Sequence, residues 1–449
     1  AILKVPWQIP RLRYYTIMIF SSRAAGLHAP ARCDILRFMV DPLYSIYIHI
    51  PFCQKRCHYC DFVTYAGMEA FLPAYVDALC KEIVQVGGNG LPVHTIYFGG
   101  GTPSVLSLSQ FQKILTTIQN VFQVLPGAEI SAEANPGTVT LESLDGMRRM
   151  GINRLSFGMQ SANPEELVFL GRIHDVDAIH KSVSQARSAG FDHLSLDLIF
   201  GLPGQTMRQW QNTVEYAISL QPEHISFYGL TIEDGTPLGK WLEQGLVETP
   251  DPDAGADMYE WAGERLEKAG FRSYEISNWA LLDPIRGWMQ CRHNMQYWRL
   301  QPYFGLGAGA HGYLDGIRTV NASQIGVYIQ KMQAGGPHTT PGSSATVELN
   351  AISRWEQAEE MMMMGLRMTH EGVDEGEFID RFGISLEEAF PRQIQKLIQE
   401  GLLEWVPMDG RHLRLTRRGW LLGNRVFMEF VGCPPPVSFH NHQGSIPVG

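Results

Sequence analysis

The chain alternates short apolar runs with segments in which apolar residues recur every three to four positions. From residue 44 onward, six runs rich in β-branched and aromatic residues predict strands at residues 44–50, 95–98, 129–134, 154–159, 193–200 and 224–230. Between the strands, patterns such as Met207, Trp210 and Val214 have helical spacing. Strands that alternate with helices predict repeated βα units around a parallel sheet, so the expected fold class is α/β.

The residues with unusual chemistry follow the predicted strands. A cysteine-rich loop comes after the first strand, the run GGGTPS at residues 99–104 comes after the second, and Glu133 lies near the end of the third. A doubly wound sheet and an incomplete barrel both place their ligand sites at the carboxyl ends of parallel strands. The pattern leaves these two architectures open, but it predicts one site at this edge.

A second pattern begins after about residue 335, where GGPHTTPGSSAT is typical of a loop. Helices are predicted at residues 354–369, 374–382, 386–389 and 392–400, followed by strands at 403–406 and 413–416. Helices followed by a hairpin predict a winged-helix-like domain over residues 347–432. We interpret it as a packing domain, because its helix at 392–400 is not strongly basic. Residues 433–449 are predicted to form a disordered tail.

Composition narrows the class of protein. The 449 residues exceed one ordinary core, and 45% hydrophobic with 18% charged residues is typical of folded domains. A net charge of −10 argues against nucleic acid as a partner, because phosphates require clustered Lys and Arg. The chain has no run of 18 apolar residues, so we expect no spanning helix. Seven cysteines, three of them within eight positions, do not resemble a disulfide framework, which favours a reducing, cytoplasmic location.

Residues 1–38 differ from the rest of the chain, because they carry six basic residues against one acidic residue, Asp34. An Arg-rich, acid-poor leader is typical of a transit peptide. Met39, however, directly precedes the first strand-like run. We therefore favour a leader outside the fold, arising from processing or from a misplaced start, over a targeting segment.

Cys53, Cys57 and Cys60 form a CxxxCxxC loop directly after the first predicted strand. Three thiolates are one ligand short of a closed zinc site, whereas a 4Fe-4S cluster held by three cysteines leaves one iron open to an external ligand. The alternative is zinc with His58 or Cys80 as a distant fourth ligand. The spacing favours the cluster.

The glycine run at residues 99–104 allows close approach of a ligand and exposes backbone N–H donors. It lacks the GKS or GKT ending of a phosphate-binding Walker loop. Alone, the run is equally typical of a tight turn. Beside a cluster loop, it becomes a candidate binder of an amino-acid carboxylate or ammonium group.

Nine motifs between residue 47 and about residue 431 occur together, namely YIHIPFCQKRCHYCDF, FGGGTPS, AEANPG, LSFGMQS, LGRIH, LDLIFGLPGQT, YEISNWA, CRHNMQYW and GLGAGAHG. With them the chain resembles the coproporphyrinogen-oxidase-like branch of the radical S-adenosylmethionine (SAM) superfamily. The resemblance implies a partial (β/α)6 barrel over residues 39–335, with a 4Fe-4S cluster on the three cysteines and SAM on its open iron. It also implies an electron donor for the cluster.

The resemblance assigns cofactor contacts to residues of these motifs. Gly100, Gly101 and Thr102 would contact the methionine part of SAM. Glu133 would accept hydrogen bonds from the ribose hydroxyls, which suits a carboxylate. The other implied contacts are Tyr47, Gln160, Arg172 and Asp197. Without the resemblance, Glu133, Gln160 and Asp197 would each be interpreted as hydrogen-bonded residues at strand ends.

Two features distinguish activities within this branch. The oxygen-independent coproporphyrinogen III oxidases of this branch have a pattern that resembles CxxxCxxCxC, with a fourth cysteine two positions after the third. In this chain Phe62 occupies the position of that fourth cysteine. The CDF ending and the HNxxYW motif, which contains His293, Tyr297 and Trp298, instead resemble the HemW type of heme chaperone. That resemblance implies heme binding and delivery to an acceptor protein. The oxidase is the alternative, disfavoured by Phe62.

His293 is the candidate ligand of heme iron, with Tyr297 and Trp298 flanking the porphyrin, and the alternative is a hydrogen-bonded core histidine. Cys291 could be a thiolate ligand but is more typical of a buried thiol, and His311 stays unassigned. For the MMMM run at residues 361–364 we favour core packing over a porphyrin groove. A second copy of the chain is a further candidate partner.

Overall fold

The computed structural model describes residues 43–87, 90–338 and 340–440. The basic leader predicted at residues 1–38 lies outside these residues, as do residues 441–449 of the predicted tail. Within the described ranges, no helix has the length and apolar character needed to cross a membrane.

The strands are β1 Tyr44–Ile50, β2 Phe52–Cys53, β3 Tyr65–Ala66, β4 Pro92–Gly100, β5 Gln123–Ala134, β6 Arg154–Gln160, β7 Leu194–Phe200, β8 His224–Gly229, β9 Phe271–Glu275, β10 Asn278–Asp283, β11 Gly287–Trp288, β12 Tyr303–Leu306, β13 His311–Leu314, β14 Ile317–Asn321, β15 Thr346–Ala351, β16 Val373–Asp374, β17 Leu403–Pro407 and β18 Arg411–Leu415. The helices are α1 Leu72–Val86, α2 Leu108–Val121, α3 Leu141–Arg149, α4 Pro164–Phe169, α5 Val176–Ser188, α6 Met207–Ser219, α7 Pro237–Glu243, α8 Pro252–Lys268, α9 Arg292–Trp298, α10 Ile325–Ala334, α11 Arg354–Gly365, α12 Glu375–Phe382, α13 Leu386–Ala389, α14 Pro391–Gln399, α15 Arg417–Leu421, α16 Gly423–Met428 and α17 Val437–His440.

The six predicted strands form the parallel centre of the main sheet. β1, β4, β5, β6, β7 and β8 pair in that order, and every pair is parallel. The predicted α/β class and the partial (β/α)6 barrel are confirmed. The structure adds strands that the sequence pattern missed: β10 pairs antiparallel with β8, and β12 pairs parallel with β1 before β13, β14 and β15 continue the sheet.

Both faces of the parallel strands are buried, but the chemistry of the two faces differs. In β1, Ile46 and Ile48 belong to the main apolar core, which includes side chains of the surrounding helices. Ser45, Tyr47 and His49 lie on the opposite face, because successive side chains of a strand alternate. The other parallel strands repeat this alternation, with Thr95, Glu133, Ser156, Asp197 and Ser226 on the inner face. The strand face that packs against the helices is therefore apolar, and the face that lines the barrel interior is polar.

The helices that cover the apolar face begin where the sequence supplies a capping side chain. Ser107 before α2 accepts from the backbone N–H of Gln110 at 3.3 Å, and the Gln110 side chain accepts from the N–H of Ser107 at 2.9 Å. Thr206 and Gln209 repeat this reciprocal arrangement before α6. These boxes satisfy N–H groups that a helix leaves unpaired at its start.

The C-terminal part has a core of its own. Phe378, Phe390 and Leu397 are fully buried in a cluster separate from the main core. β16, β18 and β17 form a small sheet beside the helices, and only the β17–β18 hairpin was predicted. The boundary predicted at residue 347 falls within β15, which pairs with β14 of the barrel sheet.

The chain after residue 433 differs from the expected disordered tail as far as the structure describes it. Phe439 in α17 is only 4% exposed and packs edge-on against Trp355 at 5.0 Å between ring centroids. Trp355 also donates from its indole nitrogen to the carbonyl of Cys433 at 2.6 Å. An aromatic residue in a polar segment therefore anchors this stretch to α11.

We expect Phe439→Ala to destabilise the C-terminal domain by about 3 kcal/mol, because it removes a buried ring. Val437→Ala is the matched control: Val437 lies in the same helix and is 88% exposed, so the change should be within about 0.5 kcal/mol. Urea unfolding followed by tryptophan fluorescence measures both. Equal midpoints for the two variants would show that α17 does not pack as described.

Candidate functional site at the carboxyl ends of the parallel strands

A cavity of about 870 Å³ opens at the carboxyl ends of the parallel strands and extends to the C-terminal domain. Ten of the twelve predicted site residues line it, and these are Cys53, Cys57, Cys60, Gly100, Gly101, Thr102, Glu133, Gln160, Arg172 and Asp197. Tyr47 and His293 are not among the lining residues. Phe62 also lines the cavity, two residues after Cys60 on the cysteine loop.

The cysteine loop leaves β2 at Cys53 and returns at β3, which pairs with β2. Cys53 is buried, whereas Cys57 and Cys60 are partly exposed, and all three are free thiols. Burial raises the pKa of Cys53 to about 11, and the Thr102 hydroxyl, which donates to its sulfur at 3.5 Å, opposes that rise. Thiolate ligation at this position therefore displaces a proton.

The spacing of the three cysteine sulfurs distinguishes a site for a 4Fe-4S cluster from a site for a single zinc ion. In the described part of the chain, one group of His, Cys, Asp or Glu has all its ligand atoms within 4.8 Å of one another, and it is Asp374, Asp409 and His412. At least one pair of the three sulfurs is thus more than 4.8 Å apart, beyond the spacing of about 3.8 Å that tetrahedral zinc–sulfur bonds require. A four-iron cluster bridges wider sulfurs, so the donor set fits it.

The candidate fourth ligands of a zinc site are engaged elsewhere. The Nδ1 atom of His58 lies 2.8 Å from the carbonyl oxygen of Phe169, within hydrogen-bond distance. Cys80 is buried in α1 among residues of the main core. Neither residue supports the zinc alternative.

The glycine run is pressed against the cysteine loop. The N–H of Gly101 donates to the carbonyl of Ile50 at 2.9 Å, and the N–H of Thr102 donates to that of Phe52 at 2.8 Å. A Cβ on Gly101 would lie 2.6 Å from the Phe52 oxygen and 3.0 Å from the Cys53 sulfur. Gly100 has φ +112°, which side chains other than glycine rarely adopt. The run therefore requires glycine for close approach.

Glu133 lies beside the glycine run at the end of β5. Its carboxylate accepts from the Tyr97 hydroxyl at 3.0 Å and from the N–H of Gly100 at 3.2 Å. Tyr47 is buried next to it behind Gly99: a Cβ on Gly99 would lie 3.0 Å from the Tyr47 ring and 3.3 Å from the Glu133 carboxylate. Tyr47 therefore supports the wall of the cavity and is not part of its surface.

Arg172 and Asn135 link the cysteine loop to the strand ends. Arg172 donates to the sulfur of Cys57 at 3.3 Å and to the carbonyl of Gly158 at 2.7 Å. Asn135 accepts from Arg172 and donates to the hydroxyl of Thr102 at 3.0 Å. Asn135 was not predicted as a site residue, although the AEANPG motif places it two residues after Glu133 and so on the same side of the strand end.

Gln160 and Asp197 complete the predicted set on the adjoining strands. Gln160 has φ +66°, a left-handed conformation that non-glycine residues adopt at a cost. The Ser156 hydroxyl lies 3.1 Å from both carboxylate oxygens of Asp197. Backbone strain and a buried carboxylate at the same cavity wall are typical of a ligand site.

His293 lies inside the barrel and away from the cavity. It is fully buried in α9, its Nδ1 is 2.8 Å from the Thr95 hydroxyl, and its Nε2 is 2.9 Å from the Tyr297 hydroxyl. The ring stacks on Tyr97 at 5.1 Å. Burial lowers the pKa of His293 to about 3, so the imidazole is neutral. This arrangement matches a hydrogen-bonded core histidine and does not offer a nitrogen to a ligand in the cavity.

The structure also shows how buried the remaining candidate residues of the sequence analysis are. Cys291 is fully buried, and burial raises the pKa of its thiol to about 12, as suits an inert thiol. His311 is exposed at the start of β13. Met361 and Met362 pack in the core of the C-terminal domain, and Met364 packs with the residues around α9, which agrees with the packing interpretation.

Comparison with known proteins agrees with this site. Residues 47–217 match the Radical SAM superfamily, and residues 352–422 match the HemN C-terminal domain. The fold is similar to that of coproporphyrinogen III oxidase (HemN) from Escherichia coli, with a TM-score of 0.72 and 24% identity, over 87% of this chain and 90% of that one. Fold and site together define a radical SAM protein, a class that holds a 4Fe-4S cluster and SAM.

Sequence relatives narrow this class. The heme chaperone HemW of Bacillus subtilis is 38% identical over 394 residues, which cover 86% of this chain and 99% of that protein. The mitochondrial radical SAM domain-containing protein 1 of Danio rerio is 33% identical over 396 residues, 84% of each chain. The chain belongs to the HemW family of heme chaperones, and the resemblance carried by its motifs is confirmed.

We expect Cys57→Ala to abolish assembly of the cluster. The cluster needs three thiolates, one for each iron atom except the open one, and the variant supplies only two. After anaerobic reconstitution, iron should fall from about four atoms per chain to near zero, together with the visible absorbance of the cluster. Cys433→Ala is the matched control, since Cys433 is also a partly exposed free thiol but lies outside the cavity. Full iron content in Cys57→Ala would refute the assignment.

Proposed function

We propose that this protein binds heme and transfers it to an acceptor protein, using a SAM-bound 4Fe-4S cluster in the same cavity. The observation that carries the proposal is the continuity of that cavity, which runs from the three cysteines past the glycine run to the C-terminal domain. Its volume of about 870 Å³ lies in the upper part of the range for ligand sites. One chamber can therefore hold the cofactor and a large planar ligand together.

The cluster and SAM belong to the end of the chamber formed by the cysteine loop. Cys53, Cys57 and Cys60 would supply the thiolates, and Gly100, Gly101 and Thr102 would contact the methionine part of SAM. Glu133, Gln160, Arg172 and Asp197 would provide the remaining polar contacts, with Tyr47 behind them. When bound, a reduced cluster supplies one electron to the sulfonium of SAM. The chain itself positions the two groups and limits access of water.

The porphyrin belongs to the opposite end of the chamber. Tyr228 and Tyr259 line the wall on the barrel side, and Trp420 lines it on the side of the C-terminal domain. Aromatic and apolar walls with a few polar groups suit a flat ligand with carboxylate edges. Phe62, at the position of the further cysteine expected of an oxidase, favours binding over the oxidase chemistry of related enzymes.

Ligation of heme iron by His293 is a separate proposal, because the ring is fully bonded in the barrel interior. Iron would have to replace the hydroxyl of Thr95 or Tyr297 as the partner of a ring nitrogen. The neutral state of His293 suits ligation, since only an unprotonated nitrogen binds iron.

The partners and the location follow from the same chemistry. An acceptor protein receives the heme, an electron donor reduces the cluster, and a second copy of the chain is a candidate partner in a homodimer. We place the protein in the cytoplasm, because a reducing compartment keeps thiols such as the six free cysteines of the described residues available.

We expect reconstituted protein with SAM to shift the Soret band of hemin and to leave coproporphyrinogen unchanged under anaerobic conditions. Absorbance titration measures the first result, and chromatography of porphyrins measures the second. The Cys57→Ala variant is the control for cluster dependence. Conversion of coproporphyrinogen to protoporphyrinogen would contradict the proposal and identify an oxidase.

For His293, the expected outcome of ligation is that His293→Ala abolishes the Soret shift while Tyr297→Phe retains it. Both variants remove the hydrogen bond between the two side chains, but only one removes the imidazole. Thermal unfolding of both proteins separates loss of a ligand from loss of structure. An unchanged Soret shift in folded His293→Ala would exclude the histidine as the iron ligand.

A further inference from the structure

Arg367 lies at the end of the cavity that adjoins the C-terminal domain. It follows α11 by two residues, and it lines the cavity together with Ser277, Trp420 and Asn424. The residue is 9% exposed, so its charge is almost entirely removed from solvent. A guanidinium in such a place requires hydrogen-bond acceptors or a counterion.

The guanidinium forms one loose ion pair among the described residues, with the buried carboxylate of Glu275. Its Nε atom is buried without a partner, and the nearest carboxylate, that of Glu275, lies 3.6 Å from Nη2. That distance is too long for a hydrogen bond. The N–H of Ser277 at 2.8 Å and the side chain of Asn278 both donate to Oε1 of Glu275, whereas Oε2, the oxygen nearest Arg367, is buried without a hydrogen bond. The ion pair with Glu275 therefore leaves Nε without an acceptor, and the guanidinium can donate to a further one.

Two aromatic rings hold the guanidinium in place. Its central carbon lies 4.7 Å from the ring centroid of Trp298 and 5.6 Å from that of Phe427. Contacts of a guanidinium with ring faces orient it without using its N–H donors. Trp298 is the last residue of the HNxxYW motif, so the motif contributes to this end of the cavity through Arg367.

The other cations of the cavity wall are differently placed. Arg172 is bonded to Cys57, Asn135 and Gly158 at the cysteine end, and Lys55 and Arg56 are exposed on the cysteine loop. Arg367 is therefore the buried cation at the end assigned to the porphyrin. A guanidinium with unused donors recognises a carboxylate, often through two parallel hydrogen bonds.

We propose that Arg367 binds a propionate carboxylate of heme, at a subsite between the barrel and the C-terminal domain. The proposal rests on the proposed function, since it names the group by which the same cavity would recognise its tetrapyrrole. Trp298 and Phe427 act as positioning residues for Arg367. The methionine carboxylate of SAM is the other carboxylate that could reach the cavity, and the experiment distinguishes the two.

The test compares hemin with hemin dimethyl ester, in which both propionates are blocked. Reconstituted full-length protein should bind hemin about 10- to 100-fold more tightly than the ester, the range for a hydrogen bond to a charged group. Arg367→Gln should weaken hemin binding by the same factor, abolish the preference over the ester, and leave SAM binding unchanged. Arg425→Gln is the control, because Arg425 is an exposed residue of α16 that pairs with Glu400 outside the cavity.

Each outcome decides the question. Equal binding of hemin and its ester by the unaltered protein overturns the Arg367 proposal and leaves the proposed function intact. Absence of hemin binding by the unaltered protein overturns both proposals. Loss of SAM binding in Arg367→Gln, with hemin binding kept, would assign the residue to the SAM carboxylate instead. If Arg367→Gln does not fold, folded Arg367→Lys should keep only part of the preference for hemin over the ester, because an ammonium cannot form two parallel hydrogen bonds. An unchanged hemin affinity and an unchanged preference in Arg367→Lys would overturn the proposal.

Discussion

The structure depends on one constraint, the burial of both faces of six parallel strands whose residues alternate in chemistry. The apolar face packs on helices and supplies the stability of the fold. The inner face carries hydroxyl, carboxylate, imidazole and guanidinium groups that must find partners inside the barrel, because buried polar groups without partners are costly. The two ends of the barrel meet this requirement differently. At one end the polar groups stabilise the fold, and at the other they line the cavity.

At the end away from the cavity, several of the polar groups pair with one another. The N–H groups of Arg292 and His293 at the start of α9 each donate to the Glu129 carboxylate at 3.0 Å. Burial alone would raise the pKa of Glu129, but Arg154 and these donors hold it below its usual value. The HNxxYW motif thereby closes the barrel interior. Through the stacking of His293 on Tyr97, which donates to Glu133, it also supports the SAM end of the cavity.

At the carboxyl ends, the polar groups remain available to ligands. Glycines at 100 and 101 bring the backbone against the cysteine loop, and at least one pair of the three sulfurs is more than 4.8 Å apart, wider than one zinc ion requires. The C-terminal domain contributes Arg367 and Trp420 to the same chamber. The cavity is therefore built by both parts of the chain, which explains why a packing domain accompanies the barrel.

Much of this arrangement could be predicted from the sequence. The six parallel strands followed from runs of β-branched residues, and the cysteine and glycine loops followed from their positions after strands. The strands at 303–351 were missed because they are short and interrupted by glycines. The direction of the His293 side chain was not predictable, since spacing within a helix does not say which face meets the barrel. Arg367 and Phe439 were missed because their burial depends on contacts between distant segments.

The central claim is that one chamber holds the cluster and the tetrapyrrole together. A crystal structure of the reconstituted protein with SAM and hemin, with anomalous differences collected at the iron edge, tests it most directly. We predict two iron sites in the cavity, a strong one at Cys53, Cys57 and Cys60 and a single iron between the cluster and Arg367. A heme iron bound on the protein surface, away from the barrel and this cavity, would contradict the account.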